Sequence, residues 1–300
     1  MFLLRRRKKQ YIIKVSNLDI PHLYGYSSNK YYTKEVIKMA KKIPSTKQEE
    51  QKDRERNMMV YKANTMMQKG RHDLSKQEQR AVIYAVSKIK PTDNIFEEYC
   101  FEIKDFFRIC GIENESYTKL KGLLQKLSDR SWWIEIDDEG TESLVRWFST
   151  LRINKGSGKV KIKFHEDMMP FLLELAKRGK LYTKYNLRFI LPMDSQYGIR
   201  LYELLKSYGN NPFWCFEVDR LKKSLNAENY KRWPDFRRYV LEPAVRDINT
   251  YSDLTVSYQA EKEGRSYSRI EFFISPKKGA DLTTVCIEGE RKLDGDWRDK

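Results

Sequence analysis

"LSKQEQRAVIYAVSKI", residues 74–89, and "MDSQYGIRLYELLKSY", residues 193–208, decide how this chain of 300 residues is built. Each opens on a polar cap. In the first, Ser75 is followed three positions later by Glu78, the spacing of a reciprocal capping box. In the second, Asp194 or Ser195 takes that place. Apolar residues then recur at helical spacing: Val82, Ala85, Val86 and Ile89 in one, Tyr197, Leu201, Leu204, Leu205 and Tyr208 in the other. Each segment is therefore an amphipathic helix with one face to bury.

The segments that follow also match. "FEIKDFF" (101–107) corresponds to "FEVDRLK" (216–222), a strand end passing into a short helix. A further helix is expected over 116–129 and again over 233–249. Strands "WWIEID" (132–137) and "DLTVSY" (253–258) lead through glycine-containing turns, "DEGTES" and "EKEGRS", into return strands at 145–153 and 267–275. The starts of matching elements lie 119 (74 to 193), 115 (101 to 216), 121 (132 to 253) and 122 (145 to 267) residues apart. Near-constant spacing in one order marks an internal repeat. Helix, helix, helix, strand, turn, strand is the order of a helix-turn-helix carrying a β-hairpin wing. The expected fold class is α+β: two tandem winged-helix domains related by duplication, over 58–178 and 179–276. Residues 160–192 bridge them, with "KIKFHEDMMPFLLELAK" closing the first copy.

The flanks differ from this body. "KKIPSTKQEEQKDRER" (41–56) has no apolar face, so 1–57 reads as a flexible basic and polar extension and 277–300 as a polar tail. Met39 opens a stretch that reads well as a natural start, and residues 1–38 are expected to be dispensable. The opening "MFLLRRRKKQ" reverses the order of a secretory signal. No apolar run approaches the roughly 18 residues of a membrane span. A cytoplasmic protein with no membrane partner is expected.

The formal charge of +16 and isoelectric point near 9.5 call for a polyanion. The place to meet one is "YKRWPDFRRYVLEPAVRDINTYSDLTVSY" (230–258). The last helix of a helix-turn-helix enters the DNA major groove by its N-terminal turns, and the wing begins directly after it. Lys231, Arg232, Arg237 and Arg238 load that helix's front, while Val240, Leu241, Ala244, Val245 and Ile248 pack its rear. Arginine suits guanine O6 and N7 through its planar fork. Lys231 and Arg238, seven apart, share a face if the helix runs through both. Pro243 removes a helical bond and is expected to kink the helix.

Arg265 and Arg269 of the second wing are candidates for phosphate or minor-groove contact. The equivalent helix of the first copy offers Tyr117, Lys119, Lys121 and Lys126, for accessory DNA contact or a protein interface. Its wing, "DDEGTES", is acidic and would be repelled by phosphate, so the second copy is the main reader. Trp132 and Trp133 are adjacent in a strand and must face opposite ways, leaving room for only one in the core.

Three of these motifs, "MVYKANTMMQKGRHDLSKQEQRAVIYAVSKI", "SQYGIRLYELLKSY" and "FRRYVLEPAVRDINTYSDLTVSY", resemble, in order, the opening, second-module helix and recognition helix of the iteron-plasmid replication initiators. The resemblance covers about 59–275. It implies binding to directly repeated origin sites, help in opening AT-rich DNA, and recruitment of the host initiator and replicative helicase. It further implies a homodimer that represses its own gene, with the first winged helix as dimer interface. The family's recognition arginines fall on Arg237 and Arg238, preceded by Lys231 or Arg232. A transcriptional regulator with no initiation role would use the same modules.

Enzyme chemistry finds little footing. The 19 tyrosines offer nucleophiles, but His22, His72 and His165 are too scattered to hold the metal of a DNA-nicking enzyme. "NKGSGKV" (154–160) lacks the first glycine and the Ser or Thr of a phosphate-binding loop, and reads as a hairpin turn into a basic strand. Cys100, Cys110, Cys215 and Cys286 form no C-x-x-C pair and are expected to be reduced, mostly buried thiols. No cofactor or metal is expected.

Overall fold

The computed structural model describes residues 2–6, 9–13, 58–90, 92–135, 139–175, 181–209, 211–277 and 284–285. The polar segment 41–56, Met39, His22, Asp137, Asp138, Cys286 and most of the tail lie outside the described residues. Strands β1 (Phe2–Arg6) and β2 (Lys9–Ile13) pair antiparallel within a unit spanning 1–50, and all that follows concerns the unit spanning 51–300.

The first module runs β3 (Met59–Ala63), α1 (Asn64–Lys69), β4 (Gly70–Arg71), α2 (Lys76–Val86), β5 (Tyr99–Glu102), α3 (Ile103–Cys110), α4 (Tyr117–Asp129), β6 (Ser131–Glu135), β7 (Glu142–Arg146), β8 (Phe148–Asn154), β9 (Lys159–Phe164) and α5 (Met169–Leu172). After β10 (Tyr182–Asn186) come α6 (Gln196–Lys206), β11 (Phe213–Glu217), α7 (Val218–Ser224), α8 (Trp233–Phe236), a π turn over Arg237–Leu241, α9 (Glu242–Tyr251), β12 (Leu254–Glu263), β13 (Ser266–Pro276) and β14 (Thr284–Val285). Both copies thus carry the expected order. The capping box closes at α2, with Ser75 Oγ accepting from Glu78 N–H (3.4 Å) and Glu78 Oε2 accepting from Ser75 N–H (2.7 Å). Ser195 caps α6 by accepting from Gly198 N–H (3.2 Å).

The second module is the simpler copy, an antiparallel sheet in the order β11-β13-β12. In the first, the return strand breaks at Trp147 into β7, which pairs with β6, and β8, which pairs with β9. Trp147 is buried at that break and stacks on Trp132 at 4.9 Å and 18°. β9 takes the centre of the sheet β5-β9-β8, so the stretch expected to close the first copy does so as a central strand. The turn 155–158 does lead into a basic strand, with Lys159, Lys161 and Lys163 all exposed. Trp132 is buried and Trp133 is 48% exposed, as the strand period requires. Gly70 lets β4 lie against Trp132: a Cβ there would come within 2.4 Å of both the indole ring and Met66 O. Of the thiols, Cys110 is buried, which pushes it up to about 12, Cys215 is half-buried, and Cys100 is exposed, contrary to expectation. Cys100 alternates with Phe101, the residue of β5 that enters the core.

The modules meet through their first helices. β10, expected in the second domain, pairs along its length with β3 of the first, from Tyr182↔Ala63 to Asn186↔Met59. Buried apolar side chains form one cluster drawn from both modules. Across this junction α6 carries three buried charges one turn apart, Arg200, Glu203 and Lys206. Glu203 accepts from Lys62 Nζ of β3 (2.6 Å) and from the Tyr185 hydroxyl of β10. Arg200 donates to Gly70 O of the first module and to Ser224 O of the second (3.2 Å). Lys206 pairs with Asp253, which also accepts from the Tyr202 hydroxyl (2.9 Å). Burial lowers the Lys62 pKa, and Glu203 opposes that shift.

His72 lies beside this ladder. The rings of Trp132 and Trp147 stand edge-on to it at 6.5 and 5.8 Å, and its Nδ1 has no hydrogen-bond partner among the described residues. Burial, then the charges of Arg200 and Lys62, hold its pKa well below the ordinary value. Two outcomes are expected. Removing one partner of a buried pair leaves the other charge uncompensated, so Glu203→Ala should cost about 3–5 kcal/mol in urea unfolding, while Lys62→Met with Glu203→Leu recovers much of the loss. As pH falls through about 6.5, the unfolded chain protonates His72 and the folded chain does not, so stability drops on acidification. Denaturation midpoints between pH 7.5 and 5.5 should show a shallower fall in His72→Gln.

Candidate nucleic-acid interface

The second module presents its last helix outward. Pro234 stands in the first turn, where its missing N–H costs nothing, and Arg232 is its extended N-cap. The helix therefore starts at Trp233, and Lys231 precedes it, so Lys231 and Arg238 do not share a continuous helical face. Pro243 has no N–H to give, and the disturbance takes the form of a π turn: Glu242 N–H bonds Arg237 O, five residues back. The helix continues through it to Tyr251. Arg237, Arg238 and Tyr239 are exposed in succession, while Phe236, Val240, Leu241, Ala244 and Ile248 are buried beneath them.

Arg238 forms no ion pair among the described residues, and its guanidinium lies over the Tyr239 ring at 5.4 Å. Arg237 does pair, Nε to Glu242 Oε1 at 2.8 Å, and this bond raises its pKa. Both partners are exposed, and such pairs are weakly held. Arg232 is 3.5 Å from Asp235 and points into solvent, as does Lys231. Arg265 is exposed at the wing tip beside Gly264, whose φ of +63° favours glycine. Arg269 sits further back, in register between Glu217 and Glu261. The wing leans on the helix front: Trp233 stacks on Tyr267 at 4.3 Å and 21°, with Lys262 Nζ 4.9 Å from the same ring.

Two exposed residues of this surface escape sequence reasoning. Tyr239 is apolar enough to pass for core, yet it is 50% exposed. Arg246, eight residues after Arg238, would stand about 80° away on a regular helix. The extra residue of the π turn absorbs roughly one residue's rotation, about 100°, and brings it back to the same side. Arg246 and Tyr239 line a groove of about 380 Å³ with Tyr197 and, from the first module, Lys76. The register of the helix could be read only with the π turn in view.

In the first module α4 is capped by Ser116, which accepts from Lys119 N–H (3.3 Å). Lys119, Lys121 and Lys126 are exposed. Lys119, Gly122 and Lys126 line an open groove of about 480 Å³ with Ser75 and Gln77. Tyr117 is instead half-buried, edge-on to Phe107 at 5.7 Å and covered by Lys155 Nζ at 5.1 Å. The acids of the first wing are partly answered from within the module: Glu135 pairs with Lys69 (3.4 Å) and Glu142 with Arg71. Among the described residues no three His, Cys, Asp or Glu side chains gather to hold a metal. No described helix is long and apolar enough to cross a membrane.

These features define a tandem winged-helix protein with an exposed cationic helix in each module. Two family models match it, "Initiator Replication protein, WH1" over residues 59–206 and "Initiator Rep protein, WH2" over 217–274. A replication initiation protein of Escherichia coli is 26% identical over 253 residues, covering 80% of this chain and 76% of that protein. The PI protein of Escherichia coli is 25% identical over 146 residues, 43% of this chain and 47% of that one. The crystal structure of Pi initiator protein in complex with iteron DNA shares the fold with a TM-score of 0.61 at 21% identity, covering 74% of this chain and 99% of that one. The chain belongs to the iteron-plasmid replication initiator family.

Phosphate contacts release counterions, about 0.9 in the slope of log affinity against log salt for each. Arg265→Ala should lower that slope by roughly one contact in fluorescence anisotropy titrations, and Arg269→Ala, set between its two glutamates, should leave it nearly unchanged.

Proposed function

We propose that this protein initiates plasmid replication by binding repeated origin sites through both winged helices, with residues 179–276 as the main reader and 58–178 as dimerisation and accessory module. The observation that carries the reading is the exposed front of the last helix, where Arg238 stands beside Arg237 with no ion pair among the described residues. That the similar Pi initiator was crystallised with iteron DNA supports the choice of ligand. Duplex DNA meets Lys231, Arg232, Arg237, Arg238 and Arg246 by their charges, and Arg265 at the wing tip reaches the flanking backbone. Lys119, Lys121 and Lys126 of the first module engage phosphates at a second position. Tyr117 supports α4 from below.

In this reading monomers occupy repeats, destabilise adjacent AT-rich DNA, and recruit the host initiator and replicative helicase, while homodimers repress the protein's own gene. The work is done by binding and needs no catalytic residue. With six to ten phosphate contacts, affinity should fall roughly 10³–10⁵-fold between 50 and 200 mM salt. A footprint on the DNA beside the gene should protect several in-phase repeats. A plasmid carrying gene and repeats should cease to replicate when Arg237 and Arg238 are both alanine. Protection of one isolated site, with replication unaffected, would favour an ordinary repressor.

A further inference from the structure

Four side chains form a column that starts on the core, where Tyr197 and Tyr230 pack, and ends outside it at Tyr239 and Arg238. Tyr197 of α6 meets Tyr230 edge-on (6.2 Å, 81°), Tyr230 stacks on Tyr239 (6.1 Å, 30°), and the Arg238 guanidinium lies over Tyr239 at 5.4 Å. Burial decreases along it: Tyr197 and Tyr230 are half-buried, Tyr239 is 50% exposed, and Arg238 is exposed. A tyrosine added for the core would be placed the other way round. The π turn is what makes the column reachable, since it leaves Arg237, Arg238 and Tyr239 exposed in succession.

We propose that Tyr239, braced by Tyr230, is a specificity-determining positioning residue that holds the Arg238 guanidinium ready for bidentate contact with a guanine edge. This rests on the reading that the helix enters the major groove, and deepens it. A free arginine carries several rotatable bonds, and ordering it on binding is costly. A guanidinium already stacked on an aromatic face has lost that freedom before the base arrives. The advantage applies only where the fork's direction matters, at O6 and N7 of guanine. A phosphate accepts the same charge from many directions, so non-specific binding gains little from the stack. Arg237 is held differently, by Glu242 and the Tyr258 hydroxyl, and lies over no aromatic ring among the described residues.

The test uses the full chain and two duplexes: one selected from a random-sequence pool by the unmodified protein, and one of scrambled sequence and equal length. Tyr239→Phe keeps the ring and should bind both within about twofold of the parent. Tyr239→Ala should lose about tenfold on the selected duplex, less than twofold on the scrambled one, with the salt slope unchanged. In an Arg238→Ala background, Tyr239→Ala should have no further effect on the selected duplex. Thermal midpoints check folding, which a half-exposed side chain should barely alter. Equal loss on both duplexes, or undiminished loss in the Arg238→Ala background, would overturn the positioning role. If Arg238→Ala itself leaves selectivity intact, the major-groove reading of the helix fails and this inference with it.

Discussion

The two modules share one apolar cluster, and charge taken out of water fixes how they meet. Arg200, Glu203 and Lys206 repeat along one face of α6, and each finds its partner in a different part of the chain: Gly70 and Ser224, then Lys62 and Tyr185, then Asp253. Buried charges tolerate few arrangements, because any that leaves one unpaired is expensive. The ladder therefore sets where α6 lies on β3 and β10, and the geometry of the second module follows. Its last helix and the turn that follows are tied to the two ends of the same element. Asp247 Oδ2 accepts from Asp194 N–H and Ser195 N–H (2.8 and 2.7 Å) at the start of α6, and Asp253 receives Lys206 near its end.

That arrangement explains why the helix can be so cationic on one side. Phe236, Val240, Leu241, Ala244 and Ile248 supply the apolar contact, and Asp247 supplies the polar tie, so the outward Arg237 and Arg232 are left with exposed ion pairs, to Glu242 and Asp235. Arg238 has no acid to answer it among the described residues. The first module spends its cations otherwise. Lys69 and Arg71 answer Glu135 and Glu142, and Arg130 pairs with Asp73 (2.6 Å), while the lysines of α4, like Lys159 and Lys163 of β9, face outward.

The repeat, the caps and the helical stripes were legible in the sequence because each depends on local spacing. Ser75 and Glu78 must be three apart, and Trp132 and Trp133 must alternate. What was not legible depended on partners far along the chain. Nothing near residue 159 says that β9 pairs with β5 as well as with β8. Arg200, Glu203 and Lys206 read as the solvated side of α6 until Lys62 and Asp253 arrive from 141 and 47 positions away. Pro243 was visible as a disturbance, but not the π turn that absorbs it, nor the placing of Arg246 and Tyr239 that follows. Pro234 carried the information that the helix starts after Lys231, through the preference of proline for a first turn.

The single apolar cluster has a bearing on how such a protein could be altered or could evolve. Residues of β3, β10, α2 and α6 contribute to it together. The halves are therefore poor cassettes: a chimera that swaps one for a relative's version inherits mismatched knobs, holes and ionic partners at the seam. On the proposed reading, the DNA address is changed more simply through the few outward side chains of the last helix than through exchange of a whole module.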